Sequence, residues 1–176
     1  LPKLVIYDQY APIGAKSEKY TYDQAREAIL AALGQFSTQF RAIAAKFFDG
    51  RWIDAELRRG KRGGAFCASP SPKVHPYILC NYTDNLRDAM TVAHELGHGI
   101  HGYLSLGQKL VNYHPTLPLA ETASVFAEMV VFDYLVNQVS DPKAQLGLLC
   151  GKVEDAFATV FRQNVLTRYE QAAFEA

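Results

Sequence analysis

Apolar residues in the first third of the chain recur every three or four positions, which is the spacing of a helix with one buried face. They are Ala25, Ile29, Ala32, Leu33, Phe36, Phe40, Ile43, Ala44 and Phe47. Thr21 or Asp23 is suited to cap the start of this run, and Gly34 is expected to divide it into two helices. The pattern therefore predicts a helical pair over residues 22 to about 48.

The second half of the chain also has helical patterning. The expected helices cover residues 85 to about 106, 118 to about 138, and 142 towards 176. Asn85 is a candidate N-cap with Asp88 three residues later, and Pro118 and Pro142 stand in first turns, where the missing N–H costs nothing. A break is expected near Gly151 in the last helix.

Extended structure is predicted only in short pieces. Residues 65–67 and 77–82 resemble two strands joined through a Ser-Pro-Ser-Pro loop, and residues 4–7 add an apolar stretch that suits a short strand. The predicted fold class is mainly α, with a small β hairpin or ribbon.

Composition and charge exclude several functions. The 176 residues are 49% hydrophobic, which is enough for a packed core, and 18 basic residues balance 18 acidic ones. Zero net charge argues against a nucleic-acid binder, whose affinity needs uncompensated Lys and Arg. The longest nearly apolar run, residues 123–136, is too short to span a bilayer and contains Glu128 and Asp133. We expect neither a membrane segment nor a secretory signal.

The cysteines and the chain ends give two further expectations. Cys67, Cys80 and Cys150 are an odd, scattered set without a C-x-x-C pair, which is typical of reduced thiols in a cytoplasmic protein. The chain starts with Leu1 rather than Met and stops at Ala176 within a helical pattern. We therefore expect residues 1–176 to be a single segment of a longer protein, truncated at both ends.

A basic, glycine-rich run at residues 58–64 has two interpretations. It could contact phosphate, or it could be a solvated loop between two strands. No strand-then-helix phosphate motif surrounds it, which favours the solvated loop.

The strongest chemical signal is His94-Glu95-Leu96-Gly97-His98, an H-E-x-x-H motif on a predicted helix. Four helical residues advance by about 40° and about 6 Å, so both imidazoles project from one face and can reach one metal ion. Glu95 lies about 100° round the helix, beside the metal, where it can take a proton from the attacking water.

Neighbouring residues add to this signal. Gly97 and Gly99 each cost a helix about 1 kcal/mol relative to alanine, which is expected where another group approaches the backbone closely. His101 is only one turn beyond His98, so it is interpreted as a helix-face residue near the site rather than as a ligand.

A catalytic zinc site usually has three protein ligands and one open position. The next predicted helix places Glu121, Ser124 and Glu128 on one stripe of an otherwise apolar surface, where charges need a partner or a cation. Spacing alone leaves the choice between Glu121 and Glu128 open.

Longer motifs resemble the zinc core of the oligoendopeptidase F / thimet oligopeptidase family. They are Asn81-Tyr82-Thr83, His94-Glu95-Leu96-Gly97-His98-Gly99-Ile100-His101 and Leu119-Ala120-Glu121-Thr122-Ala123-Ser124. The resemblance implies a zincin-like helical core at residues 81–138, one Zn²⁺ held by His94, His98 and Glu121, and Glu95 as general base. Glu128 would then orient a histidine N–H without touching the metal.

The resemblance also implies an endopeptidase for short peptides, with a helical bowl enclosing a channel. Members of the family are longer, and they supply a downstream histidine and tyrosines that hold the substrate carbonyl. We therefore expect this chain to be a fragment of the bowl and to cleave peptides poorly by itself.

Two alternatives stay open. One is a non-catalytic zinc-binding helical scaffold, which would be marked by a fourth ligand such as Glu128 or His114. The other is a metal-free interaction domain that binds polyanions through residues 58–62. No oligomeric state is predicted.

Overall fold

The computed structural model describes residues 19–176, so the strand predicted at residues 4–7 lies outside the described residues. The helices are α1 (Tyr22–Phe36), α2 (Thr38–Asp49), α3 (Leu86–Leu104), α4 (Leu110–Tyr113), α5 (Leu117–Gln138), α6 (Pro142–Phe157) and α7 (Gln163–Glu175). The strands are β1 (Ile53–Asp54), β2 (Phe66–Ala68) and β3 (Tyr77–Leu79). The predicted fold class, mainly helical with a small β element, is confirmed.

The first two helices form the predicted pair, but they are divided at Ser37 and not at Gly34. Thr21 caps α1 with a reciprocal capping box to Gln24. Ser37 is extended, with φ of −156°, and its hydroxyl accepts from the N–H of Phe40 to cap α2. Gly34 stays inside α1, where a Cβ would lie 2.7 Å from the side chain of Arg41. The glycine therefore accommodates a neighbouring side chain and does not break the helix.

The strands form one sheet in the order β1-β3-β2. β2 and β3 are the predicted antiparallel pair, with Cys67 opposite Ile78. β1 was not predicted. It pairs in parallel with β3 over two residues, which is too short a run to show a period of two in the sequence.

Lys61 holds the glycine-rich loop at residues 58–64 against the sheet. Its side chain is only 4% exposed. Its Nζ donates to the backbone oxygens of Asp54, Glu56 and Cys80 at 3.0, 2.8 and 2.7 Å, and to Asp54 Oδ1 at 3.0 Å. Most of the loop is solvated, as predicted, but that interpretation is wrong for Lys61, whose ammonium group ties β1 to the end of β3.

Polar contacts around Asn85 fix the start of α3. The Asn85 side chain accepts from the N–H of Asp88, and Asp88 Oδ2 in turn accepts from the backbone N–H of Thr83. α3 and α5 end within two residues of their predicted limits. The short α4 between them was not predicted.

The hydrophobic core lies among α1, α2, α3, the sheet and one face of α5. Its largest fully buried apolar side chains are Phe47, Ile29, Leu33, Ile78, Leu96, Ile100, Val92 and Val131. α3 contributes buried residues on both sides of its histidines, so the core fixes this helix along most of its length.

The chain divides into two compact units, one of which covers residues 17–135 and includes the core described above. The described part of the other unit, residues 136–176, contains α6, a π-helical segment (Ala158–Arg162) and α7. None of these three elements has a buried residue. The break expected near Gly151 is wrong, because α6 continues through it and the irregular turn comes seven residues later.

None of the helices in residues 19–176 combines the length and the apolar character that crossing a membrane requires.

Candidate metal centre

Helix α3 presents His94 and His98 on the same face, as the H-E-x-x-H spacing predicts. The centroids of the two rings are 5.1 Å apart, and the ring planes are nearly perpendicular. Their side chains are 28% and 20% exposed, so each imidazole is held by packing and still open on one side.

Gly97 brings helix α5 against this face. A Cβ on Gly97 would lie 2.5 Å from the backbone oxygen of Ala123 and 2.6 Å from Cα of Ser124. Only glycine permits this approach without moving one of the helices. Gly99 has a similar role two residues later, on another side of α3, because a Cβ there would lie 2.7 Å from the Phe47 ring. The close approaches expected from these two glycines are confirmed.

The contact between α3 and α5 puts Glu121 over both histidines. Glu121 Oε2 lies 3.4 Å from His94 Nε2 and 3.6 Å from His98 Nε2. One donor atom from each of the three residues lies within 4.8 Å of the others, and within residues 19–176 this is the group of side chains that meets metal-site geometry.

These separations fit a tetrahedral ion. With ligand bonds of about 2.0–2.1 Å, the edges of a tetrahedral site measure about 3.3 Å. The two distances from Glu121 Oε2 are within about 0.3 Å of that value. Two imidazole nitrogens and one carboxylate oxygen are also a usual donor set for zinc at a site with an open position. The residues present therefore fit the metal that the resemblance implies.

Each imidazole has a further hydrogen-bond partner on α5. His94 Nδ1 is 3.2 Å from Glu128 Oε2, and this bond is the main reason that the pKa of His94 is raised. A backbone hydrogen bond with Ala120 engages His98, although burial dominates there and lowers its pKa. Since a carboxylate only accepts, the bond to Glu128 places a ring proton of His94 on Nδ1, away from Glu121, and leaves Nε2 facing the Glu121 carboxylate.

Glu95 lies beside the donor group and does not belong to it. Its side chain is buried, with 7% exposed, and that burial raises its pKa. The nearby charge of His94 and a hydrogen bond from the backbone N–H of Cys67 act in the opposite direction. This environment suits a carboxylate that accepts a proton and later returns it.

The sheet register explains why Cys67 faces this carboxylate. Ile78 uses its N–H on the β1 side, where it donates to Trp52 O at 2.9 Å. Backbone groups alternate in direction along a strand, so Cys67, opposite Ile78, directs its own N–H and C=O away from β3. This edge of β2, which pairs with no strand among residues 19–176 and is called its free edge below, therefore runs along the site.

A cleft of about 540 Å³ opens at this position. Its lining includes the donor group, Glu95, residues of β2, and the α4 region. His101 and His114 also line the cleft, but neither joins the three-donor group. The predicted position of His101 near the site is therefore observed. A fourth ligand, which would mark a closed structural site, is not found among residues 19–176.

Two cleft residues were missed by sequence reasoning. The sequence predicts Cys67 only as a core thiol. Burial raises the pKa of its thiol to about 12, so the side chain stays protonated. Tyr113 is 2% exposed, and its hydroxyl has no hydrogen-bond partner among the described residues. A strand of three residues and a helix of four have no sequence periodicity that could have placed either residue here.

Two of the four cations proposed for polyanion binding have acidic partners within the chain. Arg58 forms an ion pair with Asp54, and the Lys61 ammonium is enclosed as described above. These contacts use part of the positive charge of the loop within the fold.

Sequence comparisons show which known proteins this chain resembles. Residues 35–176 match the family model for Peptidase family M3. The chain is 32% identical to oligopeptidase PepF of Bacillus subtilis, over 97% of this chain and 26% of that protein. It is also 32% identical to an oligoendopeptidase F homolog of Borreliella burgdorferi, over 96% of this chain and 29% of that protein. The chain thus spans less than a third of the length of these relatives.

A solved peptidase structure from Chlamydophila abortus has the same fold. It superposes with a TM-score of 0.79 at 31% identity, covering 93% of this chain and 27% of that chain. The resemblance to oligoendopeptidase F is confirmed, and the chain belongs to peptidase family M3.

Proposed function

We propose that this chain carries the zinc-binding and general-base part of an endopeptidase that hydrolyses peptide bonds in short peptides. The observation that carries the proposal is the convergence of His94, His98 and Glu121 beside the buried carboxylate of Glu95. The names of the relatives, an oligopeptidase and an oligoendopeptidase homolog, support the substrate class.

In this proposal His94, His98 and Glu121 hold one zinc ion per chain. Bound zinc supplies Lewis-acid chemistry, because it lowers the pKa of water and polarises a carbonyl. Glu128 fixes the ring proton of His94 on Nδ1, and Ala120 engages His98 through its carbonyl. Both imidazoles then offer Nε2 as a neutral ligand.

Glu95 moves the proton. Its carboxylate takes a proton from the attacking water as the oxygen adds to the peptide carbonyl, and then returns it to the leaving amine. A pKa raised by burial makes the carboxylate a stronger base than an exposed glutamate. Removing the carboxylate without changing the shape of the side chain should therefore remove catalysis and leave metal binding intact.

The free edge of β2 aligns the substrate. An extended peptide can donate to the outward C=O of Cys67 at the cleft, while the N–H of Cys67 stays bonded to Glu95. Main-chain pairing of this kind recognises the peptide backbone and tolerates many side chains, as an oligopeptidase requires.

We further propose that residues 81–138 form the zinc core within residues 1–176, and that the protein works in the cytoplasm. Cys67, Cys80 and Cys150 are free thiols, which supports a reducing compartment.

The chain spans 26% of PepF, and we propose that it hydrolyses peptides weakly by itself. Its rate of hydrolysis should be at least about 10²–10³-fold below that of an enzyme with a further oxyanion donor.

The test measures cleavage of a short quenched-fluorescence peptide by the zinc-loaded chain and its Glu95→Gln variant, with PepF as reference. We expect hydrolysis that a chelator abolishes and that Glu95→Gln lowers by about 10²–10⁴-fold at equal zinc content. Equal rates in wild type and variant would contradict the general-base assignment. A rate within tenfold of PepF would contradict the proposal of an incomplete site.

A further inference from the structure

Ser124 is a fully buried polar residue on α5, with 0% of its surface exposed. Its hydroxyl lies 3.0 Å from the backbone oxygen of Glu121 and 3.1 Å from Glu121 Oε2. The hydroxyl has one proton, which these two acceptors share, and the first contact by itself is a common local bond of helical serines. The second contact reaches the side chain that the candidate metal centre uses.

The carboxylate oxygen bound by Ser124 is the one that faces both imidazoles. Glu121 Oε2 lies 3.1 Å from the serine hydroxyl, 3.4 Å from His94 Nε2 and 3.6 Å from His98 Nε2. The serine O–H is therefore a buried donor to the carboxylate oxygen that faces both histidines, and it is placed to hold Oε2 there before a metal arrives.

Packing alone holds Glu121 weakly. Its side chain is 53% exposed, and a glutamate has three rotatable bonds that an exposed position leaves free. The backbone of Ser124, in contrast, is fixed, because its Cα packs directly against Gly97 of α3. Gly97 lies between His94 and His98 in the sequence. One residue thus connects the closest contact of the two helices with the orientation of the third ligand.

We propose that Ser124 is a positioning residue for the metal centre, and that its hydroxyl pre-orients Glu121 towards His94 and His98. This inference rests on the proposed zinc site and adds a residue that acts through Glu121 without touching the ion. Partners of this kind typically change metal affinity by about 10–100-fold.

The test compares Ser124→Ala with Thr122→Ala in the full 176-residue chain. Thr122 lies on the same helix, and its hydroxyl donates to the backbone oxygen of Pro118 at 2.7 Å, so it makes the local bond without the carboxylate contact. Zinc affinity is measured by chelator competition, and Co²⁺ absorption reports ligand geometry. We expect about 10–100-fold weaker zinc binding and an altered Co²⁺ spectrum for Ser124→Ala, and less than twofold change for Thr122→Ala.

A double-mutant cycle separates positioning from a general effect on the helix. In a Glu121→Ala background Ser124→Ala should weaken zinc binding no further, because the serine then has no ligand to orient. Equal losses in both backgrounds would overturn the inference. If Ser124→Ala does not fold, Ser124→Cys keeps the volume with a poorer donor, and wild-type affinity in that variant would also overturn it.

The outcomes for the inference and for the proposed function are distinct. Wild-type zinc affinity in Ser124→Ala refutes the role of Ser124 and leaves the zinc site standing. A wild-type chain that binds no zinc refutes the proposed function and the inference together.

Discussion

Two clusters of charged groups in the unit formed by residues 17–135 have opposite designs. The Lys61 cluster comprises the Lys61 ammonium, the Asp54 carboxylate and the backbone oxygens around them. Its one cation is surrounded by four acceptors at 2.7–3.0 Å, so each ammonium proton has a partner. The cluster is electrostatically complete and ties strands together.

The candidate metal centre, formed by His94, His98 and Glu121, has the reverse arrangement. One electron-pair donor from each residue lies within 4.8 Å of the others, and Glu128 accepts at Nδ1 of His94, on the far side of that ring. Converging lone pairs repel one another unless a cation lies between them. An arrangement of this kind is costly without a bound ion, whereas the Lys61 cluster needs nothing from outside.

The comparison shows which feature of a charge cluster indicates function. In the sequence, residues 58–64 are the more conspicuous run of charge, and the histidines are only two residues. The structure agrees with the stronger chemical signal of the histidines, because Asp54, Glu56 and Cys80 supply acceptors for Lys61, whereas the histidine face offers electron-pair donors. A candidate binding site is therefore recognised by lone pairs that converge on one point. A dense run of charge can equally serve to hold strands together, as Lys61 does.

The largest effect should come from removing a ligand. His94→Ala should weaken zinc affinity by far more than about 100-fold, because a three-ligand site is reduced to two ligands. Removing a residue that only hydrogen-bonds to a ligand typically costs about 10–100-fold. Glu95→Gln should still bind about one zinc per chain, since Glu95 is not in the donor group. Metal analysis after dialysis measures both, and equal zinc loss in the two variants would contradict this division of roles.

Gly97→Ala should have the second-largest effect on zinc binding, because it pushes apart α3 and α5, the helices that carry the proposed ligands. The new Cβ would meet backbone atoms of α5 at 2.5 and 2.6 Å, so the helices must shift. We expect a lower free energy of unfolding by about 1–3 kcal/mol, together with weaker zinc binding. Denaturant titration measures the first and chelator competition the second.

Gly151→Ala on α6 is the matched control for this experiment. Nothing lies within 4 Å of a Cβ at Gly151, and alanine favours a helix interior. It should raise the free energy of unfolding by about 0.4–1 kcal/mol or leave it unchanged, with no effect on zinc. Equal behaviour of the two alanine variants would show that the Gly97 contact is unimportant.

Lys61→Met should lower the free energy of unfolding and leave zinc binding at the candidate metal centre unchanged. Methionine keeps most of the side-chain volume but removes the Lys61 donor from the backbone oxygens of Glu56 and Cys80, at a cost of about 1–3 kcal/mol in the free energy of unfolding. The backbone oxygen of Asp54 still accepts from the N–H of Cys80 at 2.9 Å. Zinc affinity of the folded variant should stay within twofold of wild type. A large loss of zinc affinity would show that the two clusters are coupled.

The smallest effect concerns Asp54 and pH. Hydrogen bonds from Arg58 and then Lys61 lower the pKa of Asp54 to about 2, against an ordinary value of 3.8. The charged form is thus favoured in the folded state, so its stabilisation is present above about pH 4 and is lost as the pH falls towards 2.

The partly exposed position of Asp54 limits the size of this effect. Asp54→Asn should lower the free energy of unfolding at pH 7 by about 0.2–1 kcal/mol. The difference between variant and wild type should shrink between about pH 4 and pH 2 in metal-free protein. A difference that is constant with pH would show that the charge of Asp54 is not responsible.

Sequence patterns predicted the elements that carry the site. Helical spacing placed α3 and α5 within two residues of their observed ends, and the H-E-x-x-H motif placed both histidines on one face. These predictions succeed because helix periodicity and capping are local properties. The choice of Glu121 over Glu128 needed resemblance to a family, since both glutamates lie on the same stripe of α5.

Features that depend on tertiary contacts were not predictable in this way. Gly34 suggested a helix break, but Ser37 makes it through a cap, while Gly34 accommodates Arg41. The strand β1 exists only because β3 lies beside it. The burial of Lys61 needs carbonyl oxygens from two strands that are separated in sequence, and no local pattern records their meeting.

A crystal structure of the zinc-loaded chain, with anomalous scattering recorded at the zinc edge, tests the central claim most directly. The account predicts one zinc with His94 Nε2 and His98 Nε2 at about 2.0–2.1 Å and a Glu121 oxygen at about 2.0–2.2 Å. Glu128 should remain on Nδ1 of His94. Zinc bound by Glu128 with Glu121 turned to solvent, or an anomalous peak away from these histidines, would contradict it.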